Sequence, residues 1–301
     1  MPRRRSPIVE LADPLSFHDA VANGIGRRRL ASPAVEHPFW GVVRERSEES
    51  SDDSFLDSCR AFAARMPDHQ FFSHGTALRL IGAPTPSGAS GEMHVAAHRP
   101  SREPRTRGVV GHRLQVRDSA TLWVHGLRVE HPVRAWRQVG GRWSALALTQ
   151  IGDFLIGGRR PLATVEELRH ELHVMGGTPA LRAALVQLRV GSESPRETEL
   201  RLILTGAGLP EPELNVSIYG GYGEFVARLD LFYRRYRVAV EYDGRQHAID
   251  ERQYRRDSDR WDAIRDEGIL HVRILNHHMR DGGRPAVSRV RKALIARGWQ
   301  P

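Results

Sequence analysis

Three carboxylates interrupt an otherwise apolar, aromatic and basic stretch, ARLDLFYRRYRVAVEYDGRQH, at residues 227–247. Asp230 closes one apolar run, Glu241 and Asp243 close the next, and His247 follows four residues later. Carboxylate oxygens are hard ligands that suit Mg²⁺ or Mn²⁺, which also bind phosphate oxygens. Such an ion polarises a phosphodiester and lowers the pKa of its bound water, so that hydroxide attacks at neutral pH. The residue types therefore predict metal-assisted hydrolysis.

An antiparallel hairpin would bring two of these acids together. Side chains alternate faces along a strand, so Glu241 and Asp243 are expected to share a face. If residues 225–243 form a hairpin that turns just after Arg235, Asp230 lies beside Glu241 on the adjacent strand. Two carboxylates that close repel, and one keeps its proton at neutral pH unless a cation relieves the repulsion. Ion pairs with nearby arginines are the alternative that the sequence leaves open.

Flanking residues extend this candidate site. Glu197 lies in Ser-Pro-Arg-Glu, a capping box with proline at the first helical position, and offers a third acid from the helix before the sheet. His247 is a candidate general base or water-orienting group, and an exposed histidine with no role is the alternative. Gly244 would let a substrate backbone approach or let the strand turn sharply.

The composition limits the class of protein. The 301 residues exceed what one compact core usually holds, so two or three domains are expected. Cys59 is the only cysteine, which excludes an internal disulfide and a cysteine zinc site. No apolar run is long enough to cross a bilayer and no secretory-type apolar stretch follows Met1, so a cytoplasmic protein without a membrane partner is expected.

Positive charge favours a polyanionic partner and is unevenly distributed. The net charge is +9, and Lys292 is the only lysine among 45 basic residues. Residues 191–301 carry 19 basic and 17 acidic residues, which leaves +7 for the first 190. Nine arginines stand against three acids within residues 101–142. This distribution predicts that the front half binds nucleic acid, with DNA the expected partner, while the back half, which contains the cluster of acids, acts on it.

The pattern of elements predicts an α+β protein with three segments. Residues 15–44 read as helix, glycine, helix and strand, the outline of a winged helix-turn-helix or of a plain helical cap. In the first case Arg27, Arg28 and Arg29 lie on the recognition helix. The segments are 1–50, a basic mixed α/β domain at 55–190, and 191–301, which reads as helix, three strands, helix, strand, helix.

Two further sets of residues bear on binding. Arg256 and Arg260 form an i, i+4 pair on the charged helix that follows the acids, and with Arg245 they are predicted to contact phosphate. Histidines are scattered among the predicted strands of the middle segment without a fixed ligand spacing, so no zinc site is predicted there.

Residues 194–276 resemble the PD-(D/E)XK nuclease superfamily, and within it the relatives of very-short-patch-repair (Vsr-like) endonucleases. The resemblance rests on SPRETELRLIL, AGLPEPELN, ARLDLFYRRYRVAVEYDGRQH and YRRDSDRWDAIRDEGILHVRIL, in this order. It implies a restriction-endonuclease-like αβββαβα fold with Asp230 and Glu241 as the metal-binding pair, Glu197 as the helix acid, and Asp243 and His247 in an extended site. The superfamily's usual lysine is replaced by Asp243.

The upstream residues resemble AbiEi-type antitoxins and transcriptional regulators, through FFSHGTALRLIGAP and HGLRVEHPVRAW. This resemblance implies a winged helix followed by a mixed α/β domain, and it adds a toxin or another defence-system protein as an expected partner. The sequence therefore predicts a metal-dependent DNA endonuclease or nickase with a DNA-binding front half. A DNA-binding regulator with a vestigial nuclease domain and a scaffold protein without a nucleic-acid role are the alternatives.

Overall fold

The computed structural model describes residue 11 and residues 13–46, 54–86, 91–117, 121–244 and 260–301. Helices and sheets are mixed in an α+β arrangement, as predicted. The chain divides into two compact units, Met1–Val139 and Gly140–Pro301. This division differs from the boundary near residue 190 that the sequence suggested, because helices of the predicted middle segment belong with the C-terminal sheet.

The N-terminal unit begins with two short helices and a small sheet. Its elements are β1 Leu15–Ser16, α1 Phe17–Ala22, α2 Arg27–Leu30, β2 Val35–Glu36 and β3 Val42–Glu45, with strand order β1-β3-β2. The Ser16 hydroxyl caps α1 by accepting from the N–H of Asp19 at 3.0 Å. The helix–glycine–helix–strand order predicted for this segment is confirmed.

The rest of the N-terminal unit is a five-stranded sheet with three helices. Its elements are α3 Ser54–Ala63, β4 Gln70–Phe72, α4 His74–Leu80, β5 Met93–His98, β6 Val109–Leu114, β7 Thr121–Val124, β8 Leu127–Glu130 and α5 Pro132–Gln138. The strand order is β6-β5-β4-β8-β7, in which β6 pairs with β5, and β4 with β8, in parallel. The β4–β8 pair joins strands that are distant in the chain, whereas β5 and β6 follow one another.

Strands β7 and β8 form a hairpin. The alternating apolar positions of TLWVHGLRVEH are divided between the two strands, which fold back on each other through His125 and Gly126. Both turn residues have positive φ, 51° and 75°, as a two-residue type I′ turn requires. The alternation therefore belongs to two antiparallel strands.

The C-terminal unit places helices around a four-stranded sheet. Its elements are α6 Ala145–Ile156, α7 Val165–Met175, α8 Pro179–Gln187, α9 Pro195–Gly206, β9 Glu213–Tyr219, β10 Phe225–Tyr233, β11 Val238–Asp243, α10 with described residues 260–266, β12 Leu270–Leu275 and α11 Arg284–Ala296. The strand order is β12-β11-β10-β9, with β11 and β12 parallel. From α9 onward, the predicted order of helix, three strands, helix, strand and helix is confirmed.

A buried ion pair joins α6 to α9. The side chains of Asp153 and Arg201 are each 1 % exposed and lie 3.0 Å apart. Thr198 donates its hydroxyl to the same carboxylate at 2.9 Å, and the N–H of Arg189 donates to the other oxygen at 2.8 Å. Burial raises the pKa of Asp153, while the Arg201 charge and these hydrogen bonds act against the rise. This network makes the helices before residue 190 part of the C-terminal unit.

The hairpin of β10 and β11 has the predicted register. The pairs Leu231↔Val240, Phe232↔Ala239 and Tyr233↔Val238 centre the hairpin just after Arg235. One side of the sheet packs on apolar residues of α9 and α11, including Leu200, Leu204, Val290 and Leu294. The strand ends that carry the acids are thus fixed on a buried support.

No helix in the described ranges combines the length and the apolar character that a membrane crossing requires.

Candidate functional site

Asp230 lies at the centre of the acidic residues. The next pair in the register of β10 and β11 after Leu231↔Val240 is Asp230 with Glu241. The N–H of Tyr242 donates to the Asp230 carboxylate at 3.1 Å, which ties the side chain to β11. Burial, followed by the charges of Glu197 and Glu241, raises the pKa of Asp230 to about 7. Near neutral pH this carboxyl therefore exchanges between its protonated and charged forms.

Glu241 is buried and surrounded by nitrogen atoms. The Arg260 guanidinium donates to Glu241 Oε1 at 2.6 Å and to the Arg228 carbonyl at 2.7 Å. His271 Nε2 lies 3.1 Å from Glu241 Oε2, although the contact does not meet hydrogen-bond geometry. The Arg260 charge also lowers the pKa of Asp230, against the larger effects that raise it. Arg260, predicted to contact phosphate, thus neutralises the acids in this structure.

Glu197 is oriented by the strand next to it. Ser194 caps α9 by accepting from the N–H of Glu197 at 3.2 Å, as predicted. The return half of the predicted capping box is wrong, because Glu197 accepts from the N–H of Glu193 at 3.0 Å instead of from Ser194. The Asn215 amide also donates to Glu197, at 2.9 Å. The Glu197 carboxylate is therefore held toward the sheet.

Asn215 takes an unusual backbone conformation to reach Glu197. The pairs Leu229↔Val216 and Leu231↔Leu214 place Asn215 across from Asp230 on β9. Its φ is +49°, in the left-handed region that asparagine tolerates better than most residues. This local break in β9 lets one side chain join the helix acid to the strand that carries Asp230.

Asp243 forms a separate ion pair. Arg273 Nε donates to the Asp243 carboxylate at 2.8 Å, and the Arg273 guanidinium lies over the Trp261 ring at 4.8 Å. Trp261 also stacks on His271, the neighbour of Glu241. Glu241 and Asp243 thus contact side chains that share one aromatic support. This shared support is expected if Glu241 and Asp243 lie on the same face of β11.

The carboxylates of Glu197, Asp230 and Glu241 are oxygen donors suitable for a divalent cation, but they lie too far apart to bind one without rearrangement. Three carboxylates supply the hard oxygens that Mg²⁺ and Mn²⁺ prefer. The Arg260 guanidinium is the cation that these acids attract here. Within the described ranges, no trio of acids has its oxygens all within 4.8 Å. Glu197, Asp230 and Glu241 would hold a metal after Arg260 moves away and the carboxylates draw together.

Other predicted binding residues lie elsewhere. Arg27 and Arg28 are exposed on α2, and Arg29 lies 3.6 Å from Glu45. His247, Arg245 and Arg256 fall outside the described residues.

A histidine cluster in the N-terminal unit was missed by the sequence analysis. His74, His94 and His112 are a group of potential metal ligands whose nitrogens lie within 4.8 Å of one another. The expectation that the histidines of this region are scattered is wrong for these three. Their proximity depends on the parallel pairing of β5 with β6, in which Ala96 lies beside His112. In the paired strands, His112 lies two positions further along than His94. The sequence shows histidines in both predicted strands, but it does not show that the two strands pair.

Comparison with known proteins finds distant relatives. No family model matches the chain. "Uncharacterized protein MT2308" of Mycobacterium tuberculosis strain CDC 1551 / Oshkosh is 29% identical over 230 residues, which cover 75% of this chain and 82% of the relative. "Uncharacterized protein Rv2248" of strain ATCC 25618 / H37Rv matches with the same values. These relatives name no activity.

One solved structure has a weak overall similarity to this chain. The RV2827C protein from Mycobacterium tuberculosis gives a TM-score of 0.40 at 16% identity, over 71% of this chain and 86% of that chain. This likeness is too distant to assign a fold or an activity to the chain.

Proposed function

We propose that the protein is a metal-dependent DNA endonuclease or nickase that hydrolyses phosphodiester bonds at the acids of β10, β11 and α9. The observation that carries the proposal is that the hairpin register sets Asp230 beside Glu241, where burial, followed by the charges of Glu197 and Glu241, raises the pKa of Asp230 to about 7. Such clustering of negative charge is unfavourable unless a cation compensates it, and strongly shifted groups concentrate at functional sites.

The chain's own residues have separate roles in this proposal. When bound, the ion supplies Lewis-acid polarisation of the phosphate and a water of lowered pKa. Asp230, Glu241 and Glu197 would hold the ion, while the Tyr242 N–H orients Asp230 and Asn215 orients Glu197. Arg260 contacts Glu241 in this structure and would be the residue to contact the scissile phosphate once its place beside Glu241 is given up.

DNA is the proposed substrate because of the N-terminal unit. Helices α1 and α2, followed by the strand pair β2 and β3, support the assignment of a winged helix. Arg27 and Arg28 on α2 are exposed, where they can meet a phosphate backbone. A restriction-endonuclease-like fold of the C-terminal sheet is part of the same proposal and is supported by its order of elements.

Nicking of supercoiled plasmid tests the proposal. We expect the purified protein to nick DNA with Mg²⁺ or Mn²⁺ and to lose this activity with EDTA. Asp230→Asn should lower the rate at least about 100-fold, the loss typical of removing one electrostatic contact to a transition state. Affinity for DNA without metal should persist, because Asp230 holds the ion and not the backbone.

The matched control is Asp266→Asn, which removes one negative charge from an exposed position on α10. It should cleave like the wild type. Equal cleavage by wild type and Asp230→Asn would show that the acids are not the site.

The basic residues around Glu241 and Asp243 favour a second candidate function, that of a DNA-binding regulator. Arg260 hydrogen-bonds to Glu241, His271 lies beside it, and Asp243 replaces the superfamily lysine and pairs with Arg273. These contacts are also what a DNA-binding regulator with a vestigial nuclease domain would retain. In that case the wild type binds duplex DNA in a salt-dependent manner and nicks no DNA with either metal.

A further inference from the structure

Three imidazoles from three elements of the N-terminal unit form a compact cluster. His74 begins α4, His94 lies on β5, and His112 lies on β6. His94 Nδ1 and His112 Nε2 are 2.9 Å apart, and one nitrogen from each of the three residues lies within 4.8 Å of the others. The His74 ring is stacked on that of His112, with centroids 3.7 Å apart. His94 is 7 % exposed, so the cluster reaches into the interior of the unit.

Backbone hydrogen bonds fix the positions of two of these residues. The N–H of Ser73 donates to the His94 carbonyl at 3.0 Å, and the N–H of His94 donates to the Thr76 hydroxyl at 2.8 Å. Ser73 and Thr76 are themselves buried. His74 and His94 are therefore held together before any ligand binds, which lowers the entropic cost of binding.

His74 has a backbone conformation that its position in a helix does not explain. Its φ is +52°, in the left-handed region that a residue with a Cβ atom seldom adopts. Strain of this kind concentrates at ligand-binding and active sites, where the surrounding structure maintains it. Here it sets the direction in which the His74 side chain leaves the chain, toward β5 and β6.

Polar contacts around His74 resemble the outer shell of a metal site. His74 Nδ1 lies 3.0 Å from the Ser73 hydroxyl, which orients the ring. The N–H of His74 donates to Gln138 at 3.2 Å, and the Gln138 amide donates to the buried carboxylate of Glu130 at 3.0 Å. A partner on the second ring nitrogen, as Ser73 is here, fixes the orientation of ligating histidines in metalloproteins, whereas Gln138 and Glu130 hold the backbone of His74.

We propose that His74, His94 and His112 bind a single Zn²⁺ ion. Neutral imidazole nitrogen is a common ligand of zinc, and the three nitrogens here come together from three elements of one unit. A tetrahedral ion with Zn–N bonds of about 2.0–2.1 Å holds its nitrogens roughly 3.4 Å apart, so His94 Nδ1 and His112 Nε2, which lie at a hydrogen-bond distance of 2.9 Å, would separate by about half an ångström on binding. Binding requires the stacked ring of His74 to rotate, and water supplies the fourth ligand.

This site differs chemically from the acidic residues of the C-terminal unit. Imidazole nitrogen prefers zinc and neighbouring transition metals, whereas the carboxylates prefer Mg²⁺. The zinc proposal therefore does not depend on nuclease activity. The two sites can be separated by variants that remove only one set of ligands.

Calorimetric titration of the full-length, metal-free protein with Zn²⁺ tests the proposal. We expect one tight site in the wild type. His112→Gln should lower the affinity at least about 100-fold, because loss of a residue that only supports a ligand already costs up to about 100-fold. His69→Gln, at an exposed histidine of the same unit, is the matched control and should bind like the wild type. Asp230→Asn should also keep the tight site, since it alters only the acids.

Binding of Co²⁺, followed by visible absorption, gives a second measurement if His112→Gln is poorly folded. The wild type and His69→Gln should give the absorption of four-coordinate Co²⁺, and His74→Gln should not. The proposal is overturned if the wild type binds no zinc, if His112→Gln and His74→Gln bind zinc as well as His69→Gln does, or if Asp230→Asn abolishes the tight site.

Discussion

Asp230 is held by hydrogen bonding and burial at the position where we propose that it binds a metal ion. The N–H of Tyr242 and the Arg260 charge favour its charged form, yet burial and the charges of Glu197 and Glu241 outweigh them. The usual pKa of an aspartate, about 3.9, makes it charged at every physiological pH. Here the same group changes its charge near neutrality, so its protonation can be followed through the stability of the fold.

The raised pKa predicts how stability depends on pH without metal. The folded state keeps the Asp230 proton up to about pH 7, whereas the unfolded chain releases it near pH 4. The folded state thus binds more protons in this window, and the stabilisation present at low pH is lost as pH rises through about 7. From pH 5 to pH 8 in EDTA, the melting temperature of the wild type should fall relative to that of Asp230→Asn.

Thermal denaturation of both proteins across this range checks the prediction. Asp266→Asn, which changes an exposed carboxylate, should follow the wild type. Parallel curves for wild type and Asp230→Asn would contradict the pKa shift.

Among the secondary-structure elements, some were predictable from local sequence and others depended on distant pairing. The apolar runs on either side of Arg235 set the hairpin register that brings Asp230 next to Glu241. The cap of α9 was predictable because Ser194 and Pro195 are adjacent in the chain. The interaction of Glu197 with Asn215 was not, since it depends on a left-handed residue in another strand.

The histidine cluster shows the same limit. His94 and His112 become neighbours through parallel pairing of β5 with β6, and parallel order leaves no short-range sequence signal. The Arg260 contact with Glu241 was likewise hidden, because an arginine on a charged helix is usually solvated. The sequence thus indicated which side chains could bind a metal ion, whereas the residues that they contact could be identified only from the tertiary structure.

The ion pair between α6 and α9 predicts a large effect from one substitution. Arg201→Met would leave Asp153 buried without its cation, which typically costs about 3–5 kcal/mol. Urea unfolding should show this loss of stability. Adding Asp153→Asn should recover part of it, because the unpaired charge is then removed.

Arg228→Met provides the control at an exposed pair. Arg228 and Glu193 form an ion pair with both side chains about half exposed, and such pairs contribute about 1 kcal/mol or less. Comparable losses for Arg201→Met and Arg228→Met would contradict the role assigned to the buried pair.

For the whole molecule, the division into units at Val139 and Gly140 limits the proposed DNA-binding part to fewer residues than the predicted boundary near residue 190 did. The helices between this point and residue 190 stabilise the acidic sheet through Asp153 and Arg201, and they are not part of the proposed DNA-binding unit. DNA affinity is therefore expected to depend on residues before Gly140.

Two arginines of α2 give a quantitative test of this distribution. Replacing Arg27 and Arg28 together by alanine should weaken duplex binding of the full chain. The slope of log affinity against log salt should fall by about 2, because each lost phosphate contact removes about 0.9. Fluorescence anisotropy at several salt concentrations measures both quantities.

The matched control is the double alanine variant of Arg159 and Arg160, two exposed neighbouring arginines of the C-terminal unit. It should keep the wild-type slope. Equal effects of the two double variants would indicate nonspecific attraction by total charge.

The left-handed backbone of Asn215 also affects behaviour at high concentration. β9 is an outer strand of its sheet among the described strands, and a regular outer strand can recruit a strand of another molecule. The positive φ of Asn215 departs from the extended backbone that such pairing needs. Asn215→Val favours an extended backbone and should increase self-association in light scattering, whereas Asn215→Gly should not. The residue that orients an acid would then also protect the protein from aggregation.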